Sequence, residues 1–266
     1  MRFCAIASGS SGNCIYIGSE TTYLLVDVGI SGKKMESGLA GLNLSGGDIG
    51  GILITHEHSD HIKGIGVFSR KWNVPIYATK GTIDAILRDA SVGEIDTDLF
   101  TEVRPDKPFC LGDLKVNPMH ISHDAADPVA YRVSYGSEKK VAVCTDPGTY
   151  NEYTVGSLQG LDAILIEANH DIRMLQTGPY PYYLKQRILG DRGHLCNESS
   201  GQLLGSICSE RLKHIILGHL SKENNLPELA FEAVRVEINM GDNPFHATDF
   251  DITVAKRDVP SEVITI

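Results

Sequence analysis

The segment Thr55-His56-Glu57-His58-Ser59-Asp60-His61 packs three imidazoles and a carboxylate directly behind the apolar run Gly51-Ile52-Leu53-Ile54. That density of ligand types reads first as a metal site, because imidazole and carboxylate together suit borderline divalent ions such as Zn, Mn or Fe. One extended segment cannot wrap four side chains around a single tetrahedral ion. The cluster therefore reads as half of a two-metal site, with His56 and His58 facing one ion and Asp60 and His61 the other. A solvated polar loop is the bland alternative.

The remaining ligands are expected from strand-like runs elsewhere in the chain. His123 follows Leu114–Met119, Asp146 follows Val141–Thr145, and His219 follows Ile215–Gly218. Each lies just past the carboxyl end of its run, where α/β sheets place their ligands. Asp27, after Tyr23–Val26, is a carboxylate suited to orient a ligand histidine. Asp146 is the residue best suited to bridge both ions. A hydroxide bridging two ions roughly 3.5–4 Å apart is a nucleophile at neutral pH, and the same ions stabilise charge on the attacked centre.

The order Asp27, His56-x-His58-x-Asp60-His61, His123, Asp146, His219 resembles the metallo-β-lactamase superfamily. That resemblance implies a four-layer αββα sandwich of the α/β class, with all seven metal positions present: His56, His58, Asp60, His61, His123, Asp146 and His219.

Protonation of a leaving alkoxide needs a further pair. Glu167-Ala168-Asn169-His170-Asp171 closes another strand-like run, and His194 stands in Gly193-His194-Leu195. A carboxylate that orients an imidazole makes a proton relay; a strand-end acid and a solvent-facing histidine would be the inert reading. Together the two segments resemble those of the transfer-RNA 3′-processing endonucleases of the superfamily. Asp60, Glu167 and His194 are accordingly the expected catalytic residues.

Ser8-Gly9-Ser10-Ser11-Gly12-Asn13, Cys144-Thr145-Asp146-Pro147-Gly148, Glu167–Asp171, Gly193-His194-Leu195 and Gly218-His219-Leu220-Ser221-Lys222-Glu223-Asn224-Asn225 narrow the resemblance to the YycJ family, also called WalJ or VicX. It runs along the whole chain and implies a cytoplasmic, metal-dependent phosphodiesterase, a DNA exonuclease working from 5′ ends. Two departures are visible: Cys196 stands where a serine is expected, and Met119-His120 precedes Ile121-Ser122-His123-Asp124. Neither removes an expected ligand. A hydrolase of a small cyclic phosphodiester, ester or thioester is the second reading. A non-catalytic scaffold is disfavoured by the full ligand set, and a redox di-iron centre by the lack of an acid at position 58.

Composition agrees. With 42% hydrophobic residues in 266, the chain can bury one large core and is expected to be a single hydrolase domain. Its six cysteines form no C-x-x-C pair, which suits buried thiols in a reducing compartment. The start, Met1–Ala7, is too short for a secretory signal, and no apolar run is long enough to cross a bilayer, so no membrane partner is expected. A net charge of −10 argues against a broad basic surface for nucleic acid. It does not exclude a nuclease, because divalent ions put positive charge in the cleft itself.

Two segments bear on substrate. Ser10, Ser11 and Asn13 lie in a turn that either offers donors to a phosphate or simply joins two strands. Between Arg173 and Arg192, Tyr180, Tyr182 and Tyr183 interleave with Lys185, Arg187 and Arg192. Stacking with backbone neutralisation wants such a mixture; a cap with tyrosines as packing would show it too. The native metal and the oligomeric state are not legible. Of the other histidines, His170 reads as a residue behind the ligands or a third-metal ligand, and His214 and His246 as surface or core residues.

Secondary structure is expected as strands at Phe3–Ala7, Cys14–Ile17 and Tyr23–Val26 and helices at Gly32–Leu39, His61–Lys71 and Gly81–Asp89. A second sheet is expected from Phe100–Val103, Leu114–Met119, Val129–Tyr135, Lys140–Thr145, Ala163–Glu167 and Ile215–Leu217. Helices at Ser199–Ser209, capped by Asn197, and at Pro227–Met240, ended by Gly241, should cover it.

Overall fold

Apolar and β-branched runs become buried strands that end at the polar residues of interest. The computed structural model describes residues 1–266, which divide into two compact units. The first comprises Met1–His120, Ala125–Lys139 and Lys256–Ile266; the second comprises Ile121–Asp124 and Lys140–Ala255.

In the first unit β1 (Arg2–Ala7), β2 (Cys14–Gly18) and β3 (Tyr23–Val26) run antiparallel, then β4 (Gly51–Leu53), β5 (Ile76–Thr79) and β6 (Phe100–Val103) follow β3 in parallel. Near the chain end, β14 (Ile264–Thr265) pairs with β1. Parallel strands need crossovers, and these are α1 (Gly32–Gly41), the pair α2 (Ser59–Ile62) and α3 (Ile65–Trp72), and α4 (Lys80–Arg88). Residues such as Met35, Leu39, Ile52, Ile65, Phe68, Ile76 and Ile86 form the core beneath them. The same unit holds the antiparallel strands β7 (Phe109–Leu111), β8 (Leu114–His120) and β9 (Val129–Tyr135).

The second unit is a parallel run: β10 (Lys139–Cys144), β11 (Ala163–Glu167), β12 (His214–Gly218) and β13 (Asp251–Val254). Helices α5 (Glu152–Ser157), α6 (Ile172–Thr177), α7 (Tyr182–Leu189), α8 (Asn197–Ile207) and α9 (Pro227–Met240) connect it. Leu203, Leu204 and Ile207 of α8 and Ala230, Val234 and Ile238 of α9 are their buried faces. No helix is long and apolar enough to cross a membrane.

Three expectations are corrected. The helix read over His61–Lys71 is broken between α2 and α3, because the Gly64 N–H donates to Val28 O at 2.8 Å and a side chain on Gly64 would lie 2.2 Å from Ile30 O. Phe100–Val103 belongs beside β5 in the first unit's sheet; β5, only four residues long, carries too little periodicity to have been read. Asn197 does not cap α8: Cys196 does, its Sγ accepting from Ser199 N, while the Asn197 amide is buried against Asn225.

Candidate metal centre

In the first unit, the chain turns sharply after β3 and β4. Asp27 follows β3 with φ +60°, a left-handed conformation uncommon outside glycine, which swings its carboxylate off the strand direction. That carboxylate accepts from Thr55 N and Thr55 Oγ1, both at 2.8 Å, and from His61 Nδ1 at 2.7 Å. The single hydroxyl hydrogen of Thr55 is thus directed to Asp27, so Thr55 Oγ1 acts as acceptor toward His56 Nδ1 at 3.0 Å. Both His56 and His61 therefore carry their proton on Nδ1 and present Nε2 as a lone pair. His58 precedes α2 and sits edge-on to His56, with ring centroids 4.6 Å apart. Asp60, in the first turn of α2, has Oδ2 3.5 Å from His61 Nε2.

The second unit repeats the device around Glu167, a fully buried carboxylate at the end of β11. Its Oε1 accepts from His219 Nδ1 at 2.7 Å and from His194 Nδ1 at 2.9 Å, while Oε2 accepts from Leu195 N. Asp146 (φ +64°) and His219 (φ +53°) again turn off strand ends through the left-handed region. Asp146 Oδ1 lies 3.4 Å from His219 Nε2, 3.5 Å from His194 Nδ1 and 3.9 Å from His123 Nε2. The donor atoms of Asp146, Glu167, His194 and His219 all fall within 4.8 Å of one another. His123 Nδ1 donates to Gly193 O at 3.0 Å.

Electrostatics follow from this packing. Burial alone would raise Glu167, but the His194 charge and the hydrogen bonds from His194 and His219 hold it below its ordinary 4.5. Burial alone would lower His194, but the charge and hydrogen bond of Glu167, with Asp146 beside it, raise it above 6.5.

The residues fit divalent ions. Four histidines (His56, His61, His123 and His219) have Nδ1 committed to an acceptor, the arrangement in which an outer partner fixes tautomer and ring angle. In the second unit Asp146 and His219 join Glu167 and His194 in one group of imidazole and carboxylate donors suited to a metal ion. The profile of the "Beta-lactamase superfamily domain" matches residues 23–215. The chain is 42% identical over 232 residues to the exodeoxyribonuclease YycJ of Bacillus anthracis, covering 86% of each chain. It is 42% identical over 229 residues to the exodeoxyribonuclease WalJ of Streptococcus pneumoniae, covering 86% of this chain and 85% of the relative. The chain belongs to the YycJ/WalJ family. The fold agrees: the metallo-β-lactamase fold protein YhfI of Bacillus subtilis matches with a TM-score of 0.69 at 17% identity, over 98% of this chain and 100% of that one. This YycJ/WalJ member is thus a metal-dependent hydrolase with the αββα metallo-β-lactamase fold, two mixed sheets flanked by helices.

The residues expected to meet substrate divide sharply. Ser10 and Ser11 are exposed. Asn13 is fully buried, its Oδ1 accepting from Ser8 Oγ and Gly9 N and its Nδ2 lying 3.3 Å from His61 Nε2, so it ties the turn to the metal loop and faces no solvent-borne phosphate. Close approach here demands glycine: a side chain on Gly29 would lie 1.6 Å from Asp60 O. Tyr182 and Tyr183 are 77% and 74% exposed and pack against little, which removes the core-packing alternative for both. The three cations expected to meet phosphate each have protein acceptors. Lys185 Nζ donates to Gln176 O and Gly178 O, Arg187 pairs with the Asp124 carboxylate, and Arg192 Nε and Nη2 converge on His123 O.

His170 is buried behind the site with Nδ1 3.3 Å from Asn169 Oδ1, and burial pushes it down to about 4. His214 faces Asp251 at the surface. Sequence reasoning missed Thr55, the hydroxyl shared by two ligand histidines, and Asp124, whose Oδ1 lies 3.5 Å from His123 Nε2. Thr55 sits beside the ligand cluster, and that adjacency was the available signal.

Proposed function

We propose that residues 1–266 work as one hydrolase domain, an intracellular exonuclease that degrades DNA from 5′ ends using two divalent ions, Mn or Zn. His56, His58, Asp60, His61, His123, Asp146 and His219 would hold the ions. The observation that carries this reading is the pairing of Nδ1-anchored histidines with the buried Glu167–His194 couple; the curated YycJ and WalJ relatives, named exodeoxyribonucleases, support the substrate class. Divalent ions in such a site supply a nucleophile from water at neutral pH and stabilise charge on the attacked phosphorus.

The chain's own residues do the rest. Asp27 and Thr55 hold the rings of His56 and His61, and Glu167 holds that of His219. Asp146, whose Oδ1 lies 3.4 Å from His219 Nε2 and 3.9 Å from His123 Nε2, would be shared between the ions. Asp60 would share the second ion with His61. Glu167 keeps a proton on His194 Nδ1 and favours the doubly protonated ring, so that His194 Nε2–H can donate to the departing sugar alkoxide.

Single-turnover digestion of 5′- and 3′-labelled DNA and RNA by chelated protein, with Mn or Zn restored, tests this reading. Mononucleotides released from 5′ ends of DNA are expected, together with turnover of bis-p-nitrophenyl phosphate well above that of a β-lactam or a thioester. Comparable thioester turnover would transfer the assignment to small-molecule hydrolysis.

A further inference from the structure

The connection Ile121–Asp124 lies between β8 and β9, yet it packs as part of the second unit. Residues far along the chain hold it there. Ser122 Oγ donates to Asp191 O at 2.8 Å, Ser122 O accepts from Gly148 N at 2.7 Å, and His123 Nδ1 donates to Gly193 O. Arg192 clamps His123 O with Nε at 3.1 Å and Nη2 at 3.0 Å. Arg187, on α7, meets Asp124 with two nitrogens, Nη2 to Oδ1 at 3.1 Å and Nε to Oδ2.

We propose that Arg187 and Arg192 are positioning residues that set the direction in which His123 presents Nε2, a role that rests on reading His123 as a metal ligand. Arg192 fixes the peptide from which the ring hangs. Arg187 acts through the next residue: its guanidinium holds the Asp124 carboxylate, whose Oδ1 stands 3.5 Å from His123 Nε2, and so fixes the chain on the other side of the His123 peptide. A fork pairing with a carboxylate is the geometry arginine supplies and lysine does not. Helix α7 also carries the exposed Tyr182 and Tyr183, so a strand stacked on those rings would lean on the element that orients His123.

The test uses the full chain with Arg187→Met, Arg192→Met, Arg192→Lys and His123→Ala. Metal affinity is measured by chelator competition with Mn and Zn, kinetics on bis-p-nitrophenyl phosphate and single-stranded DNA, and melting of the metal-free proteins. The methionine variants should bind metal about tenfold or more weakly, as loss of an outer partner does. They should lose kcat equally on both substrates with KM little changed, and melt near wild type without metal; Arg192→Lys should recover part of the affinity even if a methionine variant fails to fold. A rise in KM for DNA alone, with metal affinity intact, would overturn the proposal and return both arginines to phosphate binding. If His123→Ala keeps full metal affinity, the ligand reading itself fails; if it loses affinity while the arginine variants do not, the positioning role alone is rejected.

Discussion

Glu167 and His219 meet at 2.7 Å, Oε1 to Nδ1, through the same carboxylate oxygen that receives His194 Nδ1. In the proposed mechanism one buried acid would serve coordination and proton transfer at once. Glu167→Gln should consequently weaken metal binding by about 10–100-fold and remove the relay as well. His194→Ala should lower kcat by about 10²–10⁴-fold while metal content stays near wild type. Elemental analysis beside kcat on bis-p-nitrophenyl phosphate separates the two, and a metal-depleted His194→Ala protein would contradict the division of labour.

The same couple gives the metal-free protein a pH signature. Glu167 is depressed, so its contribution to stability is present above its ordinary 4.5 and lost as pH falls through its lower folded value. His194 is raised, so its contribution is present below 6.5 and lost as pH rises through its higher folded value. The excess melting temperature of chelated wild type over chelated Glu167→Gln should peak between these values and shrink on both sides. A difference that is flat with pH would argue against a charged couple.

Asp27→Asn tests the corresponding anchor in the first unit. The amide keeps the shape but cannot accept from Thr55 N, Thr55 Oγ1 and His61 Nδ1 together. With one buried donor left unmet, a loss of about 1–3 kcal/mol is expected in urea unfolding of the metal-free protein, along with weaker metal binding.

Tyr182→Ala and Tyr183→Ala should leave stability within about 0.5 kcal/mol, since exposed positions tolerate truncation. Binding of single-stranded DNA should weaken by about 1–3 kcal/mol per lost stack with little sequence preference. Turnover of the small activated diester should not change. Fluorescence anisotropy with several oligonucleotide sequences checks both statements.

Most of what the sequence made legible is local in cause. His56 to His61 announces itself because ligand types crowd into one loop, and Asp27, Asp146, Glu167 and His219 were readable because each terminates an apolar run. Strands β5, β7, β13 and β14 were not read: two to four residues carry too little periodicity to separate strand from turn. The acceptors of Arg187 and Arg192 were not legible because they lie 63 and 69 residues away, a distance over which composition gives no signal. The tie of Asn13 to His61, 48 residues on, was hidden for the same reason.

Asp27, Asp146 and His219 all hold left-handed backbone, a conformation costing a non-glycine residue of order 1–3 kcal/mol when the surroundings impose it. Glycine would relieve that cost at every one of them. At His219 a glycine would strand the buried Glu167 carboxylate and forfeit that gain, so selection for thermal endurance alone should drift toward glycine at Asp146, whereas selection that also demands turnover must find its gains elsewhere in the chain.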